Sequence, residues 1–211
     1  MKKLLIIPLL FIFLVCFLGI GCDDEINNSN NDVNNSESLQ YILDSSGQGY
    51  IVTGRGLVSE NEIIIPETYK DKPVTAIAKE AFLEEYNIYS IRIPNTVTRI
   101  GERAFASCES LSSLEIGSGV ITIGNGAFSS CASLISVVIP RSIESIGEFT
   151  FSSCDSLTSV LIPDSVKKIG NYAFFDCDSL TVYAQAKIRP NEWDIDWNGG
   201  SAVVWGHKIE E

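Results

Sequence analysis

IPNTVTRIGERAFASCESLSSL from Ile93, IGSGVITIGNGAFSSCASLISV from Ile116, IPRSIESIGEFTFSSCDSLTSV from Ile139 and IPDSVKKIGNYAFFDCDSLTV from Ile162 are four readings of one 23-residue unit. A fixed period in this range is the signature of a solenoid, in which each unit is one coil and each coil buries its apolar side against the next. Aligned at that period, the apolar residues fall into columns. Ile93, Ile116, Ile139 and Ile162 form one, and Ile100, Ile123, Ile146 and Ile169 another. Phe105, Phe128, Phe151 and Phe174 make an aromatic column, followed by Leu111, Leu134, Leu157 and Leu180. Gly101, Gly124, Gly147 and Gly170 are in register too. A weaker fifth copy precedes these, with Ile65, Val74, Ile77, Phe82, Ile88 and Ile91 in place and an insertion around Lys70 to Pro73.

Residues 111–116, Leu-Ser-Ser-Leu-Glu-Ile, alternate apolar and polar near their end, which predicts a short strand. Strands from successive coils would lie ~4.8 Å apart and pair in parallel in one sheet, each ended by a proline such as Pro94, Pro140 or Pro163. The Ala-Phe-x-x-Cys stretch has helical spacing but is short, so it predicts one turn of α or 3-10 helix.

Working outward, the N-terminus begins with Lys2 and Lys3 and an apolar run from Leu4 to Ile20, which reads as an export signal over residues 1–21. An uncleaved membrane helix is the rival reading. Residues 22–39, CDDEINNSNNDVNNSESL, are rich in Asn and Ser and cannot bury enough apolar surface to offset their ordering entropy. They predict a disordered tether spanning roughly 20–25 Å as a flexible coil. Residues 40–62 then form an N-terminal cap, 63–182 the repeats and 183–211 a C-terminal cap.

The pattern IPxSVxxIGxxAFxxCxSLxxV resembles the BspA-like class of bacterial leucine-rich repeats, over roughly Leu39 to Lys208. The resemblance implies a right-handed leucine-rich repeat solenoid, α/β horseshoe-like, with one short parallel strand per 23-residue coil and single helical or 3-10 turns. It also implies display on bacterial surfaces, where some members act as adhesins toward host matrix proteins or other cells. Leu18-Gly19-Ile20-Gly21-Cys22 resembles a bacterial lipobox, with Gly19 standing where the pattern usually has Leu. That resemblance implies lipidation of Cys22, anchoring in the cell envelope and removal of the signal. An ordinary residue after a plain cleavage site is the alternative for Cys22.

Composition narrows the function. Asp and Glu number 27 against 15 Lys and Arg, a net charge of −12, which argues against nucleic acid as a partner because that affinity rests on cations neutralising phosphates. Cys108, Cys131, Cys154 and Cys177 form one repeat column. Neighbours in such a column are close enough for disulfides. Their place beside the phenylalanines favours four free buried thiols instead. The chain has one histidine, His207, with no evident partner. No Gly-x-Ser-x-Gly elbow or phosphate-cradling loop occurs, so nothing calls for a cofactor and an enzyme is the remotest reading.

Asp194, Asp196 and Asn198 match the first half of a calcium loop, but the twelfth position, where an EF-hand needs a bidentate Glu, is Trp205. The bland reading is a turn within the cap. Trp193, Trp197 and Trp205 read as a lid on the apolar stack, with a carbohydrate platform as the rival. A ligand would be read by the positions that vary between copies. On the strand these are Arg92, Glu115, Val138 and Leu161, flanked by Ile135 and Thr158. They form the candidate face for a protein or glycan partner. The alternative is a structural surface module with no specific ligand.

Overall fold

The structure is a computed structural model and describes residues 38–208. The expected signal over 1–21, the membrane-helix rival, the lipidation site Cys22 and nearly all of the tether lie outside the described residues. Leu39, placed by sequence at the tether's end, is buried in the core, and the Leu57 amide donates to the carbonyl of Ser38. The folded domain therefore starts a little before residue 40.

Fifteen strands follow in chain order. They are β1 (Gln40–Leu43), β2 (Tyr50–Gly54), β3 (Glu62–Ile64), β4 (Thr68–Tyr69), β5 (Lys72–Ile77), β6 (Ser90–Ile93), β7 (Arg99–Ile100) and β8 (Ser113–Ile116). The rest are β9 (Thr122–Ile123), β10 (Ser136–Val138), β11 (Ser145–Ile146), β12 (Ser159–Ile162), β13 (Lys168–Ile169), β14 (Thr181–Ala184) and β15 (Ala202–Trp205). The expected strand is present, and it ends where the prolines require. Each repeat coil carries a second strand as well, of two residues. The short strands join β1, β2 and β5 in one sheet of order β1-β2-β5-β7-β9-β11-β13. The long strands form a second face, split into β3-β6-β8 and β10-β12-β14-β15. The expectation of one strand per coil in one continuous sheet is thus corrected. Two-residue strands are too short to show alternation in sequence.

The expected helical turn is also corrected. The Ala-Phe-x-x-Cys stretch is held by two columns of left-handed residues four positions apart. Glu80, Arg103, Gly126, Phe149 and Tyr172 have φ of 57°, 51°, 60°, 54° and 57°. Glu84, Ser107, Ser130, Ser153 and Asp176 have φ of 61°, 58°, 59°, 54° and 58°. Neither conformation fits an α-helix, which needs φ near −63°. Alternate amides are spent differently. Those of Ala104, Ala106 and Cys108 close turns within their own coil, on Gly101, Arg103 and Phe105. Those of Arg103, Phe105 and Ser107 donate to Asn125, Ala127 and Ser129 of the next coil. The turn is therefore a third inter-coil ladder, and it satisfies the backbone groups that burial would otherwise leave unpaired.

Inside, the columns meet as copies. Phe82, Phe105, Phe128, Phe151 and Phe174 are fully buried, with ring centroids 5.0, 5.2, 5.5 and 5.5 Å apart and planes within 9°. Identical rings in register stack this way because each coil repeats the backbone of the last. At one end β1 closes the sheet by pairing antiparallel with β2, and Tyr41 stacks on Tyr69 at 4.0 Å. At the other end Trp197 meets Phe174 edge-on at 6.0 Å, and Trp193, Trp197 and Trp205 pack on one another at 4.8–6.1 Å. Trp193 and Trp197 are 1% and 2% exposed, so the tryptophans form the lid and the carbohydrate-platform rival fails for them.

The four repeat cysteines are free and buried. Each thiol donates to the phenylalanine carbonyl of the coil before: Cys108 to Phe82, Cys131 to Phe105, Cys154 to Phe128 and Cys177 to Phe151, at 3.1–3.4 Å. The disulfide alternative is thereby closed. Burial pushes the Cys108 thiol up to about 12 and the Cys177 thiol up to about 11, and raises Cys131 and Cys154 as well. Because the thiolate is the nucleophile, these groups should be inert in the folded state. Iodoacetamide at pH 8, read by peptide mapping, is expected to leave all four unlabelled in buffer and label all four in denaturant. Labelling of Cys131 in the native protein would contradict the packing described.

Candidate functional site

The long-strand face presents one variable outward position per coil, two residues after the serine column of Ser90, Ser113, Ser136 and Ser159. Register places Ile64 beside Arg92 and Arg92 beside Glu115, then Val138 beside Leu161, Leu161 beside Tyr183 and Tyr183 beside Val204. The column changes character halfway. Arg92 and Glu115 form an exposed ion pair at 2.8 Å. Such a pair contributes about 0–1 kcal/mol and makes the column polar at β6 and β8, after the exposed Ile64 of β3. From β10 onward the column is apolar. Val138 is 72% exposed and its flanking neighbour Ile135 is 57% exposed. Leu161 and Tyr183 are half-buried and Val204 is exposed. Thr158 is exposed beside Ile135, and its amide donates to the Ile135 carbonyl.

The six residues singled out by sequence thus share one face of the coil, as two groups. Arg92 and Glu115 lie on the β3-β6-β8 part, while Ile135, Val138, Thr158 and Leu161 lie on or beside the β10-β12-β14-β15 part. Sequence reading missed Tyr183 and Val204, which lengthen the apolar strip. The alternation in TVYA and AVVW was the available signal, but the repeat period shortens there. Ser136 pairs with Ser159 after 23 residues, Ser159 with Thr181 after 22 and Thr181 with Ala202 after 21. The C-terminal cap therefore contains a further coil.

The other candidates lie elsewhere. The Asp194–Asn198 stretch is a turn over the last coil. The Asp196 carbonyl accepts from Tyr172 and Gly199, and the Asn198 amide donates to the Ser201 carbonyl at 2.7 Å. Among the described residues, no group of three or more His, Cys, Asp and Glu side chains is placed to hold a metal ion. His207 packs its ring against Tyr183 at 4.9 Å.

Residues 61–189 match the BspA type leucine rich repeat region in six copies. Among solved structures, a leucine rich repeat protein of T. pallidum is 35% identical, with a TM-score of 0.66, covering 70% of this chain and 69% of that one. A leucine-rich repeat protein from Bacteroides ovatus is 30% identical, also at 0.66, covering 79% of this chain and 45% of that one. A third, from Bacteroides capillosus, is 30% identical at a TM-score of 0.54, covering 58% of this chain and 92% of that one. No protein of curated function matches the chain. With a repeat signature spanning more than half its length and the solenoid it specifies, this chain belongs to the BspA-type leucine-rich repeat family.

Proposed function

We propose that this chain is a surface-displayed, lipid-anchored repeat protein whose long-strand face binds another macromolecule in the manner of an adhesin. The observation that carries the reading is the apolar strip of Ile135, Val138, Leu161, Tyr183 and Val204 on a chain whose net charge is −12. Contiguous exposed apolar surface on a soluble domain marks a contact site more often than scattered apolar residues do. Anchoring at Cys22 would hold the domain at the envelope, and the polar tether would let it stand off the membrane.

The partner face is tested with immobilised extracellular-matrix proteins and the full chain. Saturable capture that drops at least tenfold in the double variant Val138→Glu with Leu161→Glu supports the reading. Capture unchanged by both substitutions removes this face from consideration. Absence of saturable capture across the panel favours the structural surface module instead. Anchoring is tested separately, by radiolabelled palmitate in cells expressing wild type and Cys22→Ala. Equal label in both rules out lipidation at Cys22.

A further inference from the structure

On the short-strand sheet, away from the strip just described, an open groove of about 460 Å³ runs across β7, β9, β11 and β13 and the glycine column that follows them. Its polar wall includes Thr122, Asn125, Ser145, Glu148 and Lys168. The Asn125 side-chain oxygen accepts from the Glu148 amide at 3.0 Å, and the exposed Asn125 NH₂ has no partner among the described residues. Thr122, Ser145, Glu148 and Lys168 likewise spend no side-chain hydrogen bond on the described residues.

The groove's chemistry narrows its occupant. The strands beneath it are already paired on both sides, β9 between β7 and β11 and β11 between β9 and β13, so no backbone edge is free for an extended peptide. The isoleucines below it, Ile100, Ile123 and Ile146, are buried and give no pocket for an apolar anchor. Glu102, Glu148 and Asp194 offset Arg99 and Lys168 along the groove, so there is no basic track for a phosphate backbone. What remains is a row of hydroxyl, amide and carboxylate groups suited to a hydroxyl-rich polymer.

The chain leaves this row at Glu148 into an aromatic step. Phe149 follows Glu148 directly and is 43% exposed. It stacks on Tyr172 at 5.4 Å, and Tyr172 meets Phe175 edge-on at 5.6 Å. Phe175 is exposed as well. Phe149 and Tyr172 hold these rings in water from left-handed backbone, where a bulky residue is an outlier. One coil earlier the same position is Gly126 with φ 60°, and the coil is unchanged. The fold therefore needs no side chain there, and glycine is the less strained choice. Gly126 also leaves Phe149 with no in-register ring on that side. Rings placed at a position the fold leaves free serve the surface.

We infer that the groove and the aromatic step together bind a neutral, linear glycan. A pyranose lays its C–H face on Phe149, and its hydroxyls bond along Asn125, Glu148, Ser145 and Thr122. The site lies on a different sheet from the proposed adhesive strip and does not depend on it. Cellohexaose and chitohexaose, both neutral β-linked pyranose hexamers, are titrated onto the full chain by calorimetry and saturation-transfer difference NMR. Saturable binding of at least one hexamer is expected. Phe149→Gly, which installs the glycine found at 126, and Phe149→Arg, which installs the residue found at 103, should each weaken it roughly tenfold. The double variant Val138→Glu with Leu161→Glu should bind as wild type does. Failure of both hexamers to bind saturably, or undiminished binding by either folded Phe149 variant, overturns the proposal.

Discussion

Phe128→Ala is expected to lower the unfolding free energy by about 3–5 kcal/mol, the range for emptying a buried phenyl site. The site gives the change little chance to heal. Phe128 is fully buried and stacked on both faces, by Phe105 at 5.2 Å and Phe151 at 5.5 Å. Its backbone is fixed by the amide bond to Thr150 and by the Cys154 thiol on its carbonyl, so the coil cannot slide to fill the void. In a solenoid, stability is close to a sum of coil terms and nearest-neighbour terms, and a central coil has two neighbours to lose. Urea unfolding followed by circular dichroism checks this. A loss below about 1 kcal/mol would mean that the ring stack is not a main source of cohesion.

Gly147→Ala should cost about 1–3 kcal/mol by overpacking, although it adds only one methyl. The added carbon would lie 2.5 Å from the Asn125 backbone nitrogen and 2.7 Å from the Gly124 carbonyl carbon. These are backbone atoms of the preceding coil and cannot rotate away. The Gly147 amide bond to the Ile123 carbonyl would stretch first, opening the short-strand sheet at that junction. The column supplies its own control. Its first member is Ala78, whose amide reaches back to Val52 of the N-terminal cap instead of to a repeat coil. Hydrogen exchange at Gly147 and Gly170 in the variant, compared with wild type, locates the damage. Unchanged stability and unchanged exchange would show that the coils can part at no cost.

The period, the core columns and the free thiols were legible in the sequence because each rests on a residue type that recurs. Phe needs Phe beside it to stack, and Cys needs a small buried site with an acceptor. The left-handed columns were not legible. Glu80, Arg103, Gly126, Phe149 and Tyr172 share a backbone conformation and no chemistry, since the conformation is imposed by amide bonds to the next coil. The helical spacing of Ala-Phe-x-x-Cys was real, but those bonds overrode it. Half of the candidate face was legible as the letters that vary between copies. Tyr183 and Val204 were hidden by the shortening period, and the aromatic step by its scatter across Phe149, Tyr172 and Phe175.

The gap in the long-strand face has a mechanical consequence. Between β8 and β10 the strand pairing lapses, and the coils are tied by the short strands β9 and β11, by turn amides such as Gly126 to Glu148, and by the Ser133 amide on the Glu109 carbonyl. Resistance to bending is therefore anisotropic at this one junction. The solenoid would yield most easily by opening toward the side that carries the Arg92–Glu115 pair before the gap and Val138 after it. A pulling load along the coils would concentrate there, between a charged plate and an apolar one.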